Sequence, residues 1–145
     1  MSSTLKITLK PNEKLYINGA VIRADRKVSL ELLNDVQFLL EAHVLQPDEA
    51  STPLRQLYFT VQVMLMTPHS AEAARRLFRE SLPLLLSAFT DPHVLAALKR
   101  VDQLVSEDQT YEALKAIRAL YPIEAQILNP IHVEQERPLA LAAGE

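Results

Sequence analysis

The first third of the chain alternates apolar and polar positions in short runs, a pattern typical of half-buried β-strands. The runs cover residues 5–10, 14–17, 20–24 and 27–33, and an apolar stretch at 37–45 follows as a last strand or hairpin. We therefore predict about five strands that pair antiparallel, as a β-meander or a small open barrel.

The clearest turn in this region is Asn18-Gly19, between the second and third runs. Both residue types tolerate a positive φ angle, which a type I′ hairpin turn requires at its two central positions. We therefore assign Asn18 and Gly19 the role of shaping a hairpin. Two weaker turns are indicated at Pro11-Asn12 and Asp25-Arg26.

After residue 47 the apolar positions recur every three or four residues, which predicts helices. Thr52 followed by Pro53 is an N-cap with proline at the first helical position. The helix that follows is apolar nearly all round, so we expect it to be the central core helix, ending at Pro68.

Three further helices are predicted after the central one. The second begins at a Ser70 cap and contains Pro83, which should kink or split it because proline removes one backbone hydrogen bond. The third begins at Asp91-Pro92, and the fourth opens at Glu107-Asp108 and is disturbed by Pro122. The predicted inward face of the second helix comprises Ala74, Leu77, Phe78, Leu82, Leu85, Leu86 and Phe89.

These patterns predict an α+β protein in which an N-terminal antiparallel sheet packs on a C-terminal α-helical bundle. We divide the chain into a β subdomain over residues 1–46, a helical subdomain over 47–129 and a flexible tail over 130–145. A length of 145 residues suits one domain or two tightly packed subdomains.

The composition excludes several classes of chemistry. The chain has no cysteine, only two glycines and four widely spaced histidines, so it lacks disulfides, a phosphate-binding glycine loop and metal-ligand spacing. We expect no enzyme, no cofactor and no metal. No apolar run approaches a membrane span, and the N-terminus alternates as a strand does, so we expect a cytoplasmic protein that does not bind membranes.

Charge is distributed unevenly along the chain. Residues 1–30 carry a net charge of +4, and the remainder carries −7. Such asymmetry indicates that the N-terminal part binds an anionic partner, or that it packs on the acidic remainder of the chain by electrostatic attraction. A basic sheet face with an aromatic residue can bind a nucleic-acid backbone and stack an unpaired base. The alternative is a solvated sheet face whose lysines guard an edge against aggregation.

Three segments of the sequence resemble a known family. The segments are LKPNEKLYINGAVI, ADRK and QPDEASTPLRQLYFTVQVML, and Pro68 follows shortly after the last of them. These segments are similar to the FlbT family of bacterial flagellum biosynthesis repressors. The similarity runs from about Leu5 to Pro68 and continues more weakly to about Leu120. It implies a non-enzymatic post-transcriptional regulator that binds the 5′ untranslated region of flagellin messenger RNA and represses its translation or promotes its decay.

The partners implied by this resemblance are the flagellin messenger leader and either flagellin or a FlaF-like regulator. On this interpretation the RNA-binding residues are Lys6, Lys10, Lys14, Tyr16, Arg23, Arg26, Lys27 and Arg55. Tyr16 would stack on a base, the basic side chains would contact phosphates, and Arg55 would extend the patch. A shorter likeness of NEKLYING to the carbon storage regulator family favours an RNA-facing sheet and a homodimer.

The alternative function is a protein-interaction module that binds flagellin or a FlaF-like partner and affects the message indirectly. The chain has fewer basic residues than the family pattern at LLEAHV, residues 39–44, and at Arg55-Gln56. An exposed apolar groove beside the central helix would favour this alternative. A contiguous basic face without acidic neighbours would favour RNA binding.

Overall fold

A computed structural model describes residues 5–129, and the predicted tail lies outside the described residues. The strands are β1 (Leu5–Leu9), β2 (Lys14–Ile17), β3 (Ala20–Arg23), β4 (Val28–Leu32) and β5 (Phe38–Leu40). The helices are α1 (Pro53–Met66), α2 (Ala71–Ala88), α3 (Pro92–Ser106), α4 (Thr110–Arg118) and α5 (Tyr121–Leu128). Short 3-10 helices lie at Glu41–His43, Pro47–Glu49 and Pro68–Ser70.

The first four strands form one long hairpin that is interrupted in its middle. β1 pairs antiparallel with β4, and β2 pairs antiparallel with β3. The last pair of the first ladder is Leu9–Val28 and the first pair of the second is Lys14–Arg23, so each arm of the hairpin moves five residues closer to the turn between these two pairs. Both ladders therefore share one register, centred on the turn between β2 and β3. The ladder is interrupted where Pro11 lacks an N–H and Asn12 has a left-handed φ of 67°.

The strands consequently form two small sheets, with strand orders β1–β4 and β3–β2–β5. This order differs from a single meander because the hairpin folds back on itself at the interruption. A small core that includes Ile7 and Leu9 from one sheet and Leu15 and Phe38 from the other joins the two sheets. The predicted last strand is shorter than expected, since a 3-10 helix begins directly after β5.

The opposite face of the three-stranded sheet packs on the helices. Leu39 of β5 is buried in the helical core, and Tyr16 of β2 packs against the same core. The layers are thus the two-stranded sheet, the three-stranded sheet and the helical bundle. The predicted α+β class, an antiparallel β part packed on an α-helical bundle, is confirmed.

The helix α1 lies at the centre of the bundle, as predicted. Thr52 caps it, because its Oγ1 accepts a hydrogen bond from the Arg55 N–H at 3.2 Å. It packs against both α2 and α4. Its buried residues are Leu54, Leu57, Tyr58, Val61, Gln62, Met64 and Leu65. None of the helices within residues 5–129 is long and apolar enough to cross a membrane.

The second helix is not split at its proline, and the predicted Ser70 cap is absent. α2 continues through Pro83, which is exposed, since Phe78 and Leu82 anchor the turns before the proline in the core. The lost hydrogen bond is therefore not enough to divide the helix. Ser70 makes no side-chain cap, because it ends a 3-10 helix that leads directly into α2.

The predicted third helix is capped as expected, and the predicted fourth is two helices. The Asp91 carboxylate accepts hydrogen bonds from the N–H groups of His93 and Val94 at the start of α3. The predicted fourth helix separates into α4 and α5, and Pro122 occupies the first turn of α5. Proline is favourable there, because the first turn has no intrahelical partner for its N–H.

Candidate functional site

Five of the predicted RNA-binding residues lie together at the interruption of the hairpin. We call segments 10–14 and 23–27 the basic bend. The segments are joined by the Asn12 N–H, which donates to the Ala24 carbonyl at 2.6 Å, and by the Ala24 N–H, which donates to the Glu13 carbonyl at 3.3 Å. The basic bend carries Lys10, Lys14, Arg23, Arg26 and Lys27.

The basic bend keeps a positive charge despite two acidic residues within it, with a net charge of +3. Lys14 is half-buried, and the other four basic residues are exposed. The Glu13 carboxylate accepts a hydrogen bond from the Lys10 backbone N–H at 2.8 Å. Asp25 pairs with Arg26 at 3.4 Å, but both side chains are exposed, so water and salt screen this pair.

The other three predicted RNA-binding residues lie apart from the basic bend. Lys6 stands opposite Glu31 in the β1–β4 ladder, on the outer face of that sheet. Tyr16 is half-buried on the side of β2 that packs on the helices, beside Phe59. The guanidinium of Arg55 lies 4.2 Å from the centre of the Tyr121 ring, at the far end of α1.

The two residues assigned to the hairpin turn lie between β2 and β3. Asn18 has a φ angle of 50° and Gly19 one of 83°, so both occupy the left-handed region. A Cβ atom built on Gly19 would lie 3.4 Å from Cγ of Pro68. The tip of the hairpin therefore lies against the chain that leaves α1.

An apolar groove, which we define by its exposed residues Leu77, Leu84, Ile127 and Leu128, runs between α1, α2 and α5. Its volume is about 870 Å³. Leu77 was predicted to point inward, but half of its surface is exposed. The sequence contains a pattern that indicates this groove. Leu77 and Leu84 are seven residues apart on α2, so they lie on one stripe of the helix, beside the face that packs in the core.

A second cavity, the arginine–tyrosine pocket, lies where the 3-10 helix at Glu41–His43 meets α1, α4 and α5. Its volume is about 320 Å³, and its polar lining includes His43, Arg55, Tyr58, Arg118 and Tyr121. The Arg118 guanidinium donates a hydrogen bond to the Tyr58 hydroxyl at 2.9 Å, and that hydroxyl donates to the His43 carbonyl at 2.7 Å.

Burial shifts the pKa of three groups in this pocket, and it raises that of Tyr58 above its ordinary value. It lowers the pKa of His43 below its ordinary value, and the nearby charge of Arg118 lowers it further. Burial, followed by the neighbouring Tyr58, raises the pKa of Tyr121 well above its ordinary value. The Tyr121 hydroxyl consequently keeps its proton, and the imidazole is neutral at neutral pH.

Sequence reasoning identified Arg55 but missed the rest of the arginine–tyrosine pocket. Its side chains come from three parts of the chain, around residues 43, 55–58 and 118–121. No local motif joins them, because only the packing of the helices brings them within contact distance.

Comparisons with known proteins give a consistent result. The family model described as flagellar protein FlbT matches residues 5–128. A Mesorhizobium japonicum protein is 63% identical over 145 residues, covering 99% of each chain, and one from Chelativorans sp. is 59% identical, covering 100% of each. One from Agrobacterium fabrum is 56% identical over 142 residues, covering 94% of this chain and 95% of its own.

Each of these relatives is named a probable flagellum biosynthesis repressor protein FlbT. No solved structure matches the chain. The resemblance seen in the sequence is confirmed over nearly the whole length, and the chain belongs to the FlbT family of flagellar proteins.

Proposed function

We propose that this protein represses flagellin synthesis after transcription, by binding the leader of flagellin messenger RNA through the basic bend. The names of its relatives support a repressor of flagellum biosynthesis. The observation that carries the RNA-binding part is the clustering of five basic side chains in two facing segments of the hairpin.

The basic bend offers charge for the phosphate backbone rather than a code for the bases. Lysine and arginine side chains bind phosphates, fix the position of the nucleic acid and supply little sequence choice. Each phosphate contact to a single strand should lower the slope of log K against log salt by about 0.7. Contacts by the four exposed side chains would together give a slope of about −3.

Binding to a fluorescent flagellin leader at several salt concentrations tests this proposal. The triple variant Arg23→Glu, Arg26→Glu, Lys27→Glu should lose binding while keeping its circular dichroism spectrum and melting temperature. A matched control, Arg76→Glu, Arg79→Glu, Arg100→Glu, changes three exposed helical arginines by the same charge. Equal losses in both variants, or none in the first, would rule out the basic bend as the RNA surface.

A second candidate function is supported by the apolar groove. Leu84 is 70% exposed and Leu128 55% exposed, and exposed apolar clusters on a soluble protein mark interaction sites. We propose as the alternative that the groove binds an amphipathic helix of flagellin or of a FlaF-like partner. Regulation of the message would then be indirect.

Titrating purified flagellin and a purified FlaF-like protein separates the two candidates. The double variant Leu77→Ser, Leu84→Ser should abolish partner binding and leave RNA binding unchanged if the groove is the functional surface. The substitution Leu33→Ser changes a leucine that is as exposed as Leu84 but lies outside the groove, and it serves as the control. RNA binding by the chain alone, together with no partner binding, would favour the basic bend.

A further inference from the structure

The strand β3 forms an open edge of the three-stranded sheet. It pairs with β2 on one side, and within residues 5–129 no strand lies on its other side. All the residues of β3, Ala20–Arg23, are exposed, so neither the helices nor the two-stranded sheet overhang this edge. An open edge presents unpaired N–H and C=O groups, which another strand can bind.

The geometry of the hairpin determines which groups of β3 face outward. In a hairpin with a two-residue turn, the pair that flanks the turn is hydrogen-bonded, and hydrogen-bonded pairs then alternate with pairs that are not. The Ala24 N–H keeps to this alternation, because it donates to the Glu13 carbonyl on the other arm. The backbone groups of Val21 and Arg23 therefore point away from β2, towards the open edge.

The other strands protect their edges in ways that β3 does not. The strands β1 and β4 carry the charged residues Lys6 and Glu31, and β5 is covered, since Leu39 lies in the helical core. The centre of β3 is apolar instead, with Val21 61% exposed and Ile22 44% exposed. Charge and cover are the usual means of preventing edge pairing, so an exposed apolar edge indicates an interface.

We propose that β3 pairs antiparallel with β3 of a second copy of this chain. A two-fold axis through Ile22 places the outward groups of Val21 opposite those of Arg23 of the second copy, and the reverse. Every outward group of β3 then has a hydrogen-bond partner. Ile22 meets its own counterpart on the axis, and Val21 packs on the aliphatic part of the opposing arginine.

The edge is complementary to itself, which is why a second copy is the partner. In the register centred on Ile22, each Arg23 faces a valine, so no like charges stand directly opposite each other. The pairing joins the two three-stranded sheets into one continuous sheet. The interface is short, so we expect a dimer that dissociates in the micromolar range.

The dimer also extends the RNA surface, and in this respect alone it rests on the proposed function. Arg23 ends β3 and begins the second segment of the basic bend, so the paired strands carry one basic bend at each end. A messenger leader that reaches both bends makes its second contact within the same complex. Such a contact raises the affinity without any new kind of interaction.

Disulfide trapping tests the register directly, because the chain has no cysteine. The Cα atoms of a pair that is not hydrogen-bonded lie about 4.5 Å apart, within the range of a disulfide. Ile22→Cys should therefore form a linked dimer on mild oxidation. Ala20→Cys is the matched control on the same exposed strand, and its counterpart would lie about 13 Å away along the ladder, too far to link.

Sedimentation of the unchanged chain without RNA, from about 1 to 500 µM, measures the dimer itself. Val21→Pro removes an outward N–H that the hairpin does not use, so it should weaken the dimer at least tenfold and keep the fold. Ile22→Lys places two lysines opposite each other on the axis and should weaken it similarly. Leu33→Lys changes an exposed leucine outside β3 and should leave the dimer unchanged.

The proposal is overturned if the unchanged chain is monomeric at every concentration, or if Ala20→Cys links as fast as Ile22→Cys. It is also overturned if Val21→Pro and Ile22→Lys retain both their fold and a dimer as tight as that of the unchanged chain.

Binding of a long flagellin leader tests the joint surface. The unchanged chain should bind at least tenfold more tightly than Ile22→Lys, although that variant gains a positive charge. Equal affinities would overturn the joint surface. The triple variant of the basic bend keeps the backbone of β3, so it should still dimerise. A dimer that binds no RNA would therefore contradict the proposed function and leave the β3 interface supported.

Discussion

The carboxylate of Glu124 in α5 binds the N-terminus of α1, where it accepts hydrogen bonds from the Thr52 hydroxyl and the Leu54 N–H. Glu124 is completely buried. A negative charge at a helix N-terminus is favourable, because the first N–H groups have no intrahelical partner. The last described helix therefore completes the cap of the central one.

Replacing Glu124 by glutamine should destabilise the protein by about 1–3 kcal/mol, because a charge-assisted hydrogen bond at the helix N-terminus is lost. Urea unfolding followed by circular dichroism measures this change. The exposed Glu80 of α2 is a matched control, and Glu80→Gln should change the free energy of unfolding by less than about 0.5 kcal/mol. Equal values for the two variants would contradict the capping role.

Replacing Gly19 should lower the free energy of unfolding, and by more for residues that are more strained at a positive φ. Gly19→Val should destabilise the protein by about 1–3 kcal/mol, since a β-branched residue is disfavoured there and its side chain would meet Pro68. Gly19→Asn should cost less, because asparagine tolerates the left-handed region. Thermal unfolding of both variants measures the difference, and equal costs would indicate that contact with Pro68, rather than φ, decides.

The stability of the protein should fall on acidification partly through His43. Burial and the nearby Arg118 lower the pKa of this imidazole in the folded state. In the unfolded chain it binds a proton near its ordinary pKa of about 6.5. The stabilising contribution is therefore complete above pH 6.5 and is lost as the pH falls towards the folded-state pKa.

Urea unfolding at pH 7 and pH 5 measures this effect. The variant His43→Gln should show a smaller loss of stability between the two values than the unchanged chain. The same substitution at the exposed His69 should leave the loss as it is in the unchanged chain. If His43→Gln lost as much stability between pH 7 and pH 5 as the unchanged chain does, other groups would be responsible for the acid sensitivity.

The ring of Tyr16 should contribute to folding whether or not it contacts RNA. It is half-buried against the helical core, so Tyr16→Ala should destabilise the protein by about 1–2 kcal/mol. Tyr16→Phe keeps the ring and should stay within about 0.5 kcal/mol. Chemical denaturation checks both values. An alanine variant of unchanged stability that binds RNA less tightly would instead identify Tyr16 as a stacking group.

Local features of the fold were predictable because they depend on neighbouring residues. Alternation located β1 to β4, and the Thr52-Pro53 and Asp91-Pro92 pairs located the starts of α1 and α3. The register of the hairpin follows from its turn. None of these features requires knowledge of how distant segments pack.

Features that depend on packing were not predictable in the same way. The hairpin folds back on itself, so Lys6 and Tyr16 lie on different sides of the β part, although both belonged to one predicted basic surface. The Arg55–Tyr121 contact and the cap from Glu124 join segments about 70 residues apart. Charge and periodicity describe each segment but not its distant neighbours.

The shared register of the two ladders also limits how the length of this hairpin can change. A single inserted residue between β1 and β2 would turn β1 over, because successive side chains of a strand point to opposite faces. Ile7 and Leu9 would then face water, and Lys6 and Thr8 would face the core between the sheets. One residue added to each arm would keep the pairing but turn over both β1 and β4, so insertions and deletions in this hairpin should be tolerated only as two residues on each arm.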